Sequence, residues 1–210
     1  MPTVLVLDFD GTVTTHDSGD AVCNRFAPPA WHDIDDQWVR GELSLPEAQK
    51  QMWALVRATR NEVDLFVSGL ALRPGLDELI AQAARRNVEL WLASGGFDFY
   101  IEALLGPRLT HFSRRFYNRA RFFGDRISVD FSHPEFACRR CAICKGRVCA
   151  QARATGARVL FAGDGHSDRC VVGQANEIAA VTGSFLAGHL TEQKVRAREF
   201  SRLDELAELF

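Results

Sequence analysis

Short apolar runs alternate with amphipathic stretches over most of this chain. Four runs rich in Val, Leu, Ile and Ala have the length of buried strands, at residues 4–9, 88–93, 159–162 and 178–181. Amphipathic stretches beside them predict helices at residues 75–86, 97–105, 145–154 and 203–210. Residues 113–132 alternate apolar and polar positions around Gly124-Asp125, which predicts a β-hairpin. Strands that alternate with helices in this way indicate an α/β fold.

The chain does not return to the sheet directly after its first strand. Four short helices are predicted instead, at residues 18–26, 31–40, 45–57 and 62–70. Asp17 and Asn61 are suited to cap the first and last of them, and Ser44 with Glu47 fits a capping box. The predicted organisation is a core at residues 1–14 and 74–210 with a helical cap at residues 15–73.

Two acidic residues follow the first predicted strand. Asp8 and Asp10, in the segment Asp8-Phe9-Asp10-Gly11-Thr12, place two like charges in one small space. The arrangement makes sense if a hard cation neutralises them and one carboxylate is free to attack. Because open α/β sheets hold their chemistry at the carboxyl ends of their strands, we expect a catalytic site here rather than a solvated turn.

Three further segments carry residues suited to phosphate chemistry. They are Ser94-Gly95-Gly96 after the second strand, Lys145 at a helix start, and Gly163-Asp164-Gly165-His166-Ser167-Asp168 after the third strand. With the Asp8 segment, and in this order, they resemble the four motifs of the haloacid-dehalogenase-like (HAD) phosphohydrolases, subfamily IB. The resemblance implies a Rossmann-like core, in which helices flank a central parallel sheet, and a small helical cap inserted after the first strand.

The resemblance also implies Mg²⁺-dependent hydrolysis of a phosphomonoester. Asp8 would attack phosphorus and become an aspartyl phosphate, while Asp10 would protonate the leaving alkoxide and then activate water. Asp164 would complete a magnesium site with Asp8 and the backbone carbonyl of Asp10. Asp168 would ligate the metal, hold Lys145 or a metal-bound water, or cap the following helix.

A phosphate cradle follows from the same resemblance. Its implied members are Ser94, Gly95, Gly96, Gly11, Thr12 and Lys145. Ser94 would donate a hydrogen bond to a phosphate oxygen, and the glycines would let backbone amides approach it. Lys145 would neutralise the phosphoryl oxygens, although a lysine at a helix start is also a common surface residue.

Features outside the four motifs reduce the number of candidate substrates but do not identify one. Residues 26–31, residues 94–99 and a hairpin leading to a Cys-rich segment are similar to the methionine-salvage phosphatases, which act on a methylthio-ketopentenyl phosphate. Residues 163–170 and Ser18-Gly19-Asp20 also resemble phosphoethanolamine/phosphocholine phosphatases. A phosphoserine phosphatase, or a phosphotransferase with the same chemistry, stays open as well. We expect a small phosphorylated metabolite as the substrate.

Composition and charge argue against other classes of partner. A net charge of −2 gives no support to binding of nucleic acid or acidic membranes. The chain has no apolar stretch long enough to span a bilayer and no cleavable N-terminal segment, so we expect a cytoplasmic protein. The sequence does not predict an oligomeric state.

Cysteines are concentrated before and within one predicted helix. In a cytoplasmic protein the six cysteines are expected to be thiols. The spacing of Cys138, Cys141, Cys144 and Cys149 is compatible with a structural zinc site. The alternative is a thiol-rich hairpin and helix start, with Cys149 facing the core.

The cap holds the residues expected to distinguish substrates. Asp17 and Asp20 follow the nucleophile segment, where a substrate headgroup could be recognised, and capping is the alternative for Asp17. Trp31, Trp38 and Trp53 are expected to serve mainly in helix packing.

Overall fold

The computed structural model describes residues 1–210, which are built around a seven-stranded sheet. The strands are β1 (Thr3–Leu7), β2 (Val88–Phe97), β3 (Phe112–Phe123), β4 (Arg126–Asp130), β5 (Arg158–Gly163), β6 (Glu177–Val181) and β7 (Arg198–Phe200). Their order is β4-β3-β2-β1-β5-β6-β7, and every pair is parallel except the β3–β4 hairpin. The α/β class and the predicted parallel core of the sheet are confirmed, and the hairpin makes the complete sheet mixed.

Helices cover the sheet and form the predicted insertion. The α-helices are α1 (Ser18–Phe26), α2 (Trp31–Arg40), α3 (Leu45–Leu55), α4 (Arg60–Val67), α5 (Leu76–Arg85), α6 (Asp98–Leu105), α7 (Lys145–Ala154) and α8 (Phe185–Glu192). The 3₁₀ helices span Gly106–His111, Pro134–Phe136, His166–Val171 and Leu203–Leu209. The capping box of Ser44 and Glu47 at α3 is confirmed. The predicted helix α4 is present, but its predicted cap is wrong, because Thr59 rather than Asn61 caps that helix, through its own capping box.

Both faces of the sheet are buried, as the alternate side chains of β1 illustrate. Val4 and Val6 join an apolar cluster with residues of α7 and α8. Leu5 and Leu7 join a second cluster with residues of α5, α6 and the inserted helices. Since successive strand residues point to opposite faces, β1 has to be apolar throughout rather than at alternate positions.

The inserted helices α1–α4 are attached to the rest of the chain at a paired junction. Thr14 and Leu72 form an isolated antiparallel bridge. Beside it, the amide of Thr15 donates to the carbonyl of Ala71 at 3.1 Å. The tip of the β3–β4 hairpin also contacts the insertion, and one apolar cluster runs from α1, α3 and α4 into the sheet. The domain boundaries near residues 15 and 73 stay a prediction.

Several elements differ from the sequence prediction. β2 continues to Phe97, with a register shift against β3 between Ala93 and Phe97. The C-terminal segment is a 3₁₀ helix, which suits the three-residue spacing of its buried residues Leu203, Leu206 and Leu209. The short elements α8 and β7 were not predicted, because eight and three residues carry too little periodicity.

None of the helices combines the length and the apolar character that a bilayer crossing requires.

Candidate active site

The predicted motifs meet at the carboxyl edge of the sheet. β1 lies between β2 and β5, because the chain adds β2 to β4 on one side of β1 and β5 to β7 on the other. Ligands of open α/β sheets bind where the strand order reverses in this way. Asp8 follows β1, Ser94 lies near the end of β2, and Asp164 follows β5. Together with Lys145 on α7, these residues line one cavity of about 390 Å³.

Lys145 connects the first and fourth motifs. Its Nζ lies 3.0 Å from Asp8 Oδ1 and 3.2 Å from Asp168 Oδ1, and it donates to Ser167 Oγ at 2.6 Å. Only 2% of the Lys145 surface is exposed to solvent. Burial alone would lower the pKa of Lys145, but Asp168 and Asp8 outweigh that effect and hold the pKa above its usual value. The lysine is therefore a charged member of the site and not a surface residue.

Three carboxylates surround this single lysine. One oxygen each from Asp8, Asp164 and Asp168 lies within 4.8 Å of the others. Burial and the nearby charge of Asp168 raise the pKa of Asp8, and the same two causes raise the pKa of Asp164 to about 7. The site therefore holds more negative charge than Lys145 neutralises, which is the charge and donor set that a hard divalent cation fits.

Asp168 is held in place by backbone groups. Its Oδ2 accepts hydrogen bonds from the amides of Asp164 and Gly165, both at 2.9 Å, and its Oδ1 faces Lys145. Two of the roles predicted for Asp168 are thus present together, since it caps the 3₁₀ helix His166–Val171 and orients the lysine.

Asp10 points away from the other carboxylates, toward the inserted helices. Its Oδ1 accepts from the amide of Ser18 at 3.1 Å, and its Oδ2 accepts from Ser94 Oγ at 3.3 Å and from the Tyr100 hydroxyl at 3.1 Å. Burial, followed by the charge of Asp17, raises the pKa of Asp10 to about 7. The Asp10 side chain is outside the carboxylate cluster, so any metal contact would have to come from its backbone, as predicted.

The donors of the first loop, for which phosphate binding is predicted, make hydrogen bonds within the protein. The Thr12 hydroxyl donates to Asp164 Oδ1 at 2.9 Å, and its amide donates to the carbonyl of Phe9. The Gly11 amide donates to Thr14 Oγ1 and to the carbonyl of His16. Thr12 thus holds Asp164 in place, and the contacts of Gly11 and Thr12 with a phosphate stay a prediction.

Gly11 is required for a different reason, which gives a first prediction. Its φ is +73°, and a Cβ there would lie 2.2 Å from Asp164 Oδ2. We expect Gly11→Ala to displace Asp164 and to lower kcat by ~100-fold, the cost of about a 1 Å misplacement in an active site. Gly156→Ala is the matched control, because Gly156 has a φ of +80° with no atom within 4 Å of the added carbon. Equal activity loss in both variants would show that backbone strain alone, and not contact with Asp164, is responsible.

The second motif forms the last part of β2 and holds Asp10. Ser94 Oγ accepts from the Gly96 amide at 2.8 Å while donating to Asp10. A Cβ at Gly96 would lie 1.9 Å from the Tyr100 hydroxyl oxygen, so only glycine fits. The Gly95 carbonyl accepts a hydrogen bond from Asn118 Nδ2 at 2.8 Å, which fixes this part of β2 at its register shift against β3.

Several residues of the site were not found from the sequence. Tyr100 binds Asp10 from the first turn of α6, and Ser167 binds Lys145. Arg73 donates to the carbonyls of Gly11 and Thr12 at 2.6 and 2.7 Å and so fixes the nucleophile loop. Ser167 lies inside the fourth motif and could have been considered. Tyr100 and Arg73 carry no local signal, because each acts on a residue far away in the chain.

The side of the cavity formed by the inserted helices is both acidic and apolar. Its acidic residues are Asp17, Asp20 and Asp35, and its apolar wall includes Cys23, Trp38, Met52 and Trp53. Burial, followed by repulsion from Asp17 and Asp35, raises the pKa of Asp20 to about 9. Trp38 and Trp53 therefore face the cavity as well as packing, whereas Trp31 stacks on His32.

The predicted set of four clustered cysteines needs a correction. Cys138, Cys141 and Cys144 lie together, but the fourth member is Cys170 and not Cys149. Cys149 is fully buried in the apolar cluster beneath α7, because the helix turns its side chain away from the segment that precedes it. This agrees with the core-facing alternative for Cys149.

Comparison with known proteins agrees with the geometry. The sequence model for haloacid dehalogenase-like hydrolases matches residues 5–172, which include all four motifs. The chain belongs to this family. Its named relatives are phosphatases, and the chain is an HAD-type phosphatase.

The named relatives and the structural neighbours differ in the activity that their names state. The chain is 28% identical over 208 residues to a 2-hydroxy-3-keto-5-methylthiopentenyl-1-phosphate phosphatase of Brevibacillus brevis, covering 97% of this chain and 92% of that protein. It is 33% identical over 182 residues to a protein of that name from Geobacillus thermodenitrificans, covering 84% and 82%. A substrate-bound phosphoserine phosphatase superposes with a TM-score of 0.75 at 16% identity, covering 100% and 99% of the two chains. That likeness shows the fold.

Proposed function

We propose that this HAD phosphatase hydrolyses a small phosphomonoester through an aspartyl phosphate on Asp8. The observation that carries the proposal is the convergence of Asp8, Lys145 and Asp164 on one cavity, with Asp168 buried behind Lys145 and Asp10 held separately beside Ser94. A nucleophile, a charge-neutralising group and an independently held acid are what the two-step reaction needs.

The first step transfers the phosphoryl group to the protein. An oxygen of Asp8 attacks phosphorus, and the new O–P bond forms while the bond to the alkoxide oxygen of the substrate breaks. Asp10 donates a proton to that alkoxide, from an orientation set by Ser94, Tyr100 and the Ser18 amide. Lys145 lies 3.0 Å from Asp8 and can balance the negative charge of the phosphoryl oxygens.

The second step releases phosphate. Asp10 removes a proton from a water molecule, which attacks the phosphorus of the aspartyl phosphate and restores the Asp8 carboxylate. Asp8 and Asp164, with Asp168 behind them, would hold Mg²⁺, and the bound ion would neutralise phosphoryl charge and orient the phosphate. Ser94 supports the reaction by keeping Asp10 aligned.

The first candidate substrate is that of the named relatives, 2-hydroxy-3-keto-5-methylthiopentenyl-1-phosphate. Its methylthio end is apolar and polarisable. Met52, Trp53 and Cys23 form an apolar wall on the side of the cavity opposite the phosphate chemistry. Sulfur–aromatic contacts of this kind are favourable, so the wall suits that group.

A second candidate is favoured by the three carboxylates of the same wall. Burial raises the pKa of Asp20 most, and repulsion from the nearby charges of Asp17 and Asp35 raises it further. An ammonium group in the substrate would relieve that repulsion, and Trp38 could face it. Phosphoethanolamine, phosphocholine and phosphoserine carry such a group, whereas the methylthio compound does not.

A phosphate-release screen tests the function and separates the two candidates. We expect turnover that requires added Mg²⁺ and falls to background with EDTA. If a cation is recognised, Asp35→Asn lowers kcat/KM for the amine-bearing esters about tenfold, the scale of one lost charge contact, and leaves the methylthio ester unchanged. Asp36→Asn, at the exposed neighbouring position outside the cavity, is the control. No release of phosphate from any ester would contradict the proposed function.

A further inference from the structure

A cluster of four sulfur atoms lies directly behind the active site. Cys138, Cys141 and Cys144 come from the segment before α7, and Cys170 comes from the 3₁₀ helix His166–Val171. Their Sγ atoms all lie within 4.8 Å of one another, and those of Cys141 and Cys170 are 4.0 Å apart. Four thiolates around one zinc ion, with Zn–S bonds of ~2.3 Å, stand ~3.8 Å from one another, so the cluster needs little contraction to bind the metal.

The cysteine-bearing segment is shaped around these sulfur atoms. Residues 137–144 contain no helix or strand, yet Cys141 and Cys144 are buried. The amide of Cys138 donates to the carbonyl of Cys141 at 3.0 Å, which closes the turn that brings their side chains together. A short irregular segment has little hydrophobic area of its own to hold such a turn, and a structural metal commonly supplies that energy.

The charges nearby also suit a metal thiolate. Zinc with four thiolates carries a net charge of −2, which burial would penalise without compensation. Arg139 and Arg140 lie between Cys138 and Cys141, and Lys145 follows Cys144. The Arg140 carbonyl accepts from Trp38 Nε1 at 3.2 Å, so the segment also contacts the inserted helices.

We propose that Cys138, Cys141, Cys144 and Cys170 bind one structural Zn²⁺ ion that joins the third and fourth motifs. Cys144 directly precedes Lys145, and Cys170 lies two residues after Asp168. The two segments already touch, because a Cβ at Gly146 would lie 2.1 Å from the carbonyl oxygen of Cys170. Binding displaces the four thiol protons, and the metal then fixes the backbone that carries Lys145 against the backbone that carries Ser167 and Asp168.

Metal content tests the site without reference to activity. We expect the full chain, purified under reducing conditions from zinc-supplemented cells, to contain about one zinc per molecule by mass spectrometry of the element. The cobalt-substituted protein should show thiolate-to-cobalt charge-transfer absorption. Cys138→Ser and Cys170→Ser should retain at least ~10-fold less zinc after dialysis against a chelator, whereas Cys149→Ser and Cys23→Ser keep it. Cys138 and Cys170 are both partly exposed, so these two substitutions disturb the fold less than changes at the buried Cys141 or Cys144, and either variant alone suffices for the test.

A wild-type protein without zinc and without cobalt–thiolate absorption would overturn the proposal. So would full zinc retention in Cys138→Ser, or a disulfide between Cys141 and Cys170 in protein kept under nitrogen. The positioning role of the ion rests on the proposed phosphatase function. Zinc loss in Cys138→Ser should lower kcat about tenfold or more while KM stays within about twofold, because Lys145 acts on the reacting group. Asp8→Asn should keep its zinc, which separates a failed metal site from a failed catalytic assignment.

Discussion

Asp8→Asn is expected to abolish phosphate release while leaving the protein folded. An amide oxygen cannot form the aspartyl phosphate, and removal of a nucleophile typically lowers kcat by at least ~10³-fold. The fold should persist, because Asp8 sits among carboxylates that raise its pKa, and a neutral isostere relieves part of that repulsion. The change does remove the contact with Lys145, but Asp168 and Ser167 still hold that lysine.

The measurement combines steady-state phosphate release with a thermal unfolding scan. Asp77→Asn is a matched control, since Asp77 is an exposed carboxylate on α5 that pairs with Arg108. A second readout is covalent labelling, in which wild-type protein quenched in acid retains phosphate from the substrate and the Asp8 variant retains none. Turnover of Asp8→Asn above one-tenth of wild type would reject the nucleophile assignment.

Lys145→Met is expected to reduce both activity and stability. The variant leaves Asp8 and Asp168 buried without their shared cation, and breaking a buried ion pair in this way costs about 3–5 kcal/mol. Loss of charge balance at the phosphoryl group should lower kcat by at least ~100-fold. Lys145→Arg should not restore activity, because a guanidinium group cannot reproduce the contacts that Lys145 Nζ makes at once with Asp8, Asp168 and Ser167.

Denaturant unfolding and phosphate release measure the two effects separately. Lys50→Met is the control, since Lys50 is exposed on α3 and lies over the ring of Phe131. Unchanged stability in Lys145→Met would mean that Asp8 and Asp168 are not charged together in the folded state. Unchanged kcat would mean that the lysine serves the fold and not the reaction.

The parts of the fold that the sequence predicts are those with strong local signals. β1 is apolar on both faces, and the capping box of Ser44 and Glu47 marks the start of α3. These signals survive because tertiary packing reinforces them. α8 and β7 were missed for the opposite reason, since their stability comes from packing at the far edge of the sheet rather than from their own pattern.

The candidate site divides in the same way. Asp8, Asp164 and Lys145 could be named from the sequence, because each follows or begins a recognisable element. Contacts between residues far apart in the chain could not be predicted. They include the hydrogen bond from Tyr100 to Asp10 and the position of Cys170 beside Cys141. Thr12 shows a further limit, because the motif does not reveal that its hydroxyl donates to Asp164, 152 residues further along the chain.

The paired junction below helices α1–α4 has a consequence for how this enzyme can diversify. The insertion leaves and re-enters at Thr14 and Leu72, which are bridged to each other, and the Arg73 amide donates to the Val13 carbonyl at 2.7 Å. A segment whose two ends are already tied can be exchanged for a relative's segment of different length without moving Asp8, provided that the exchange keeps the Ser18 amide that donates to Asp10. New selectivity can therefore evolve, or be engineered as a chimera, while the reaction chemistry is inherited intact.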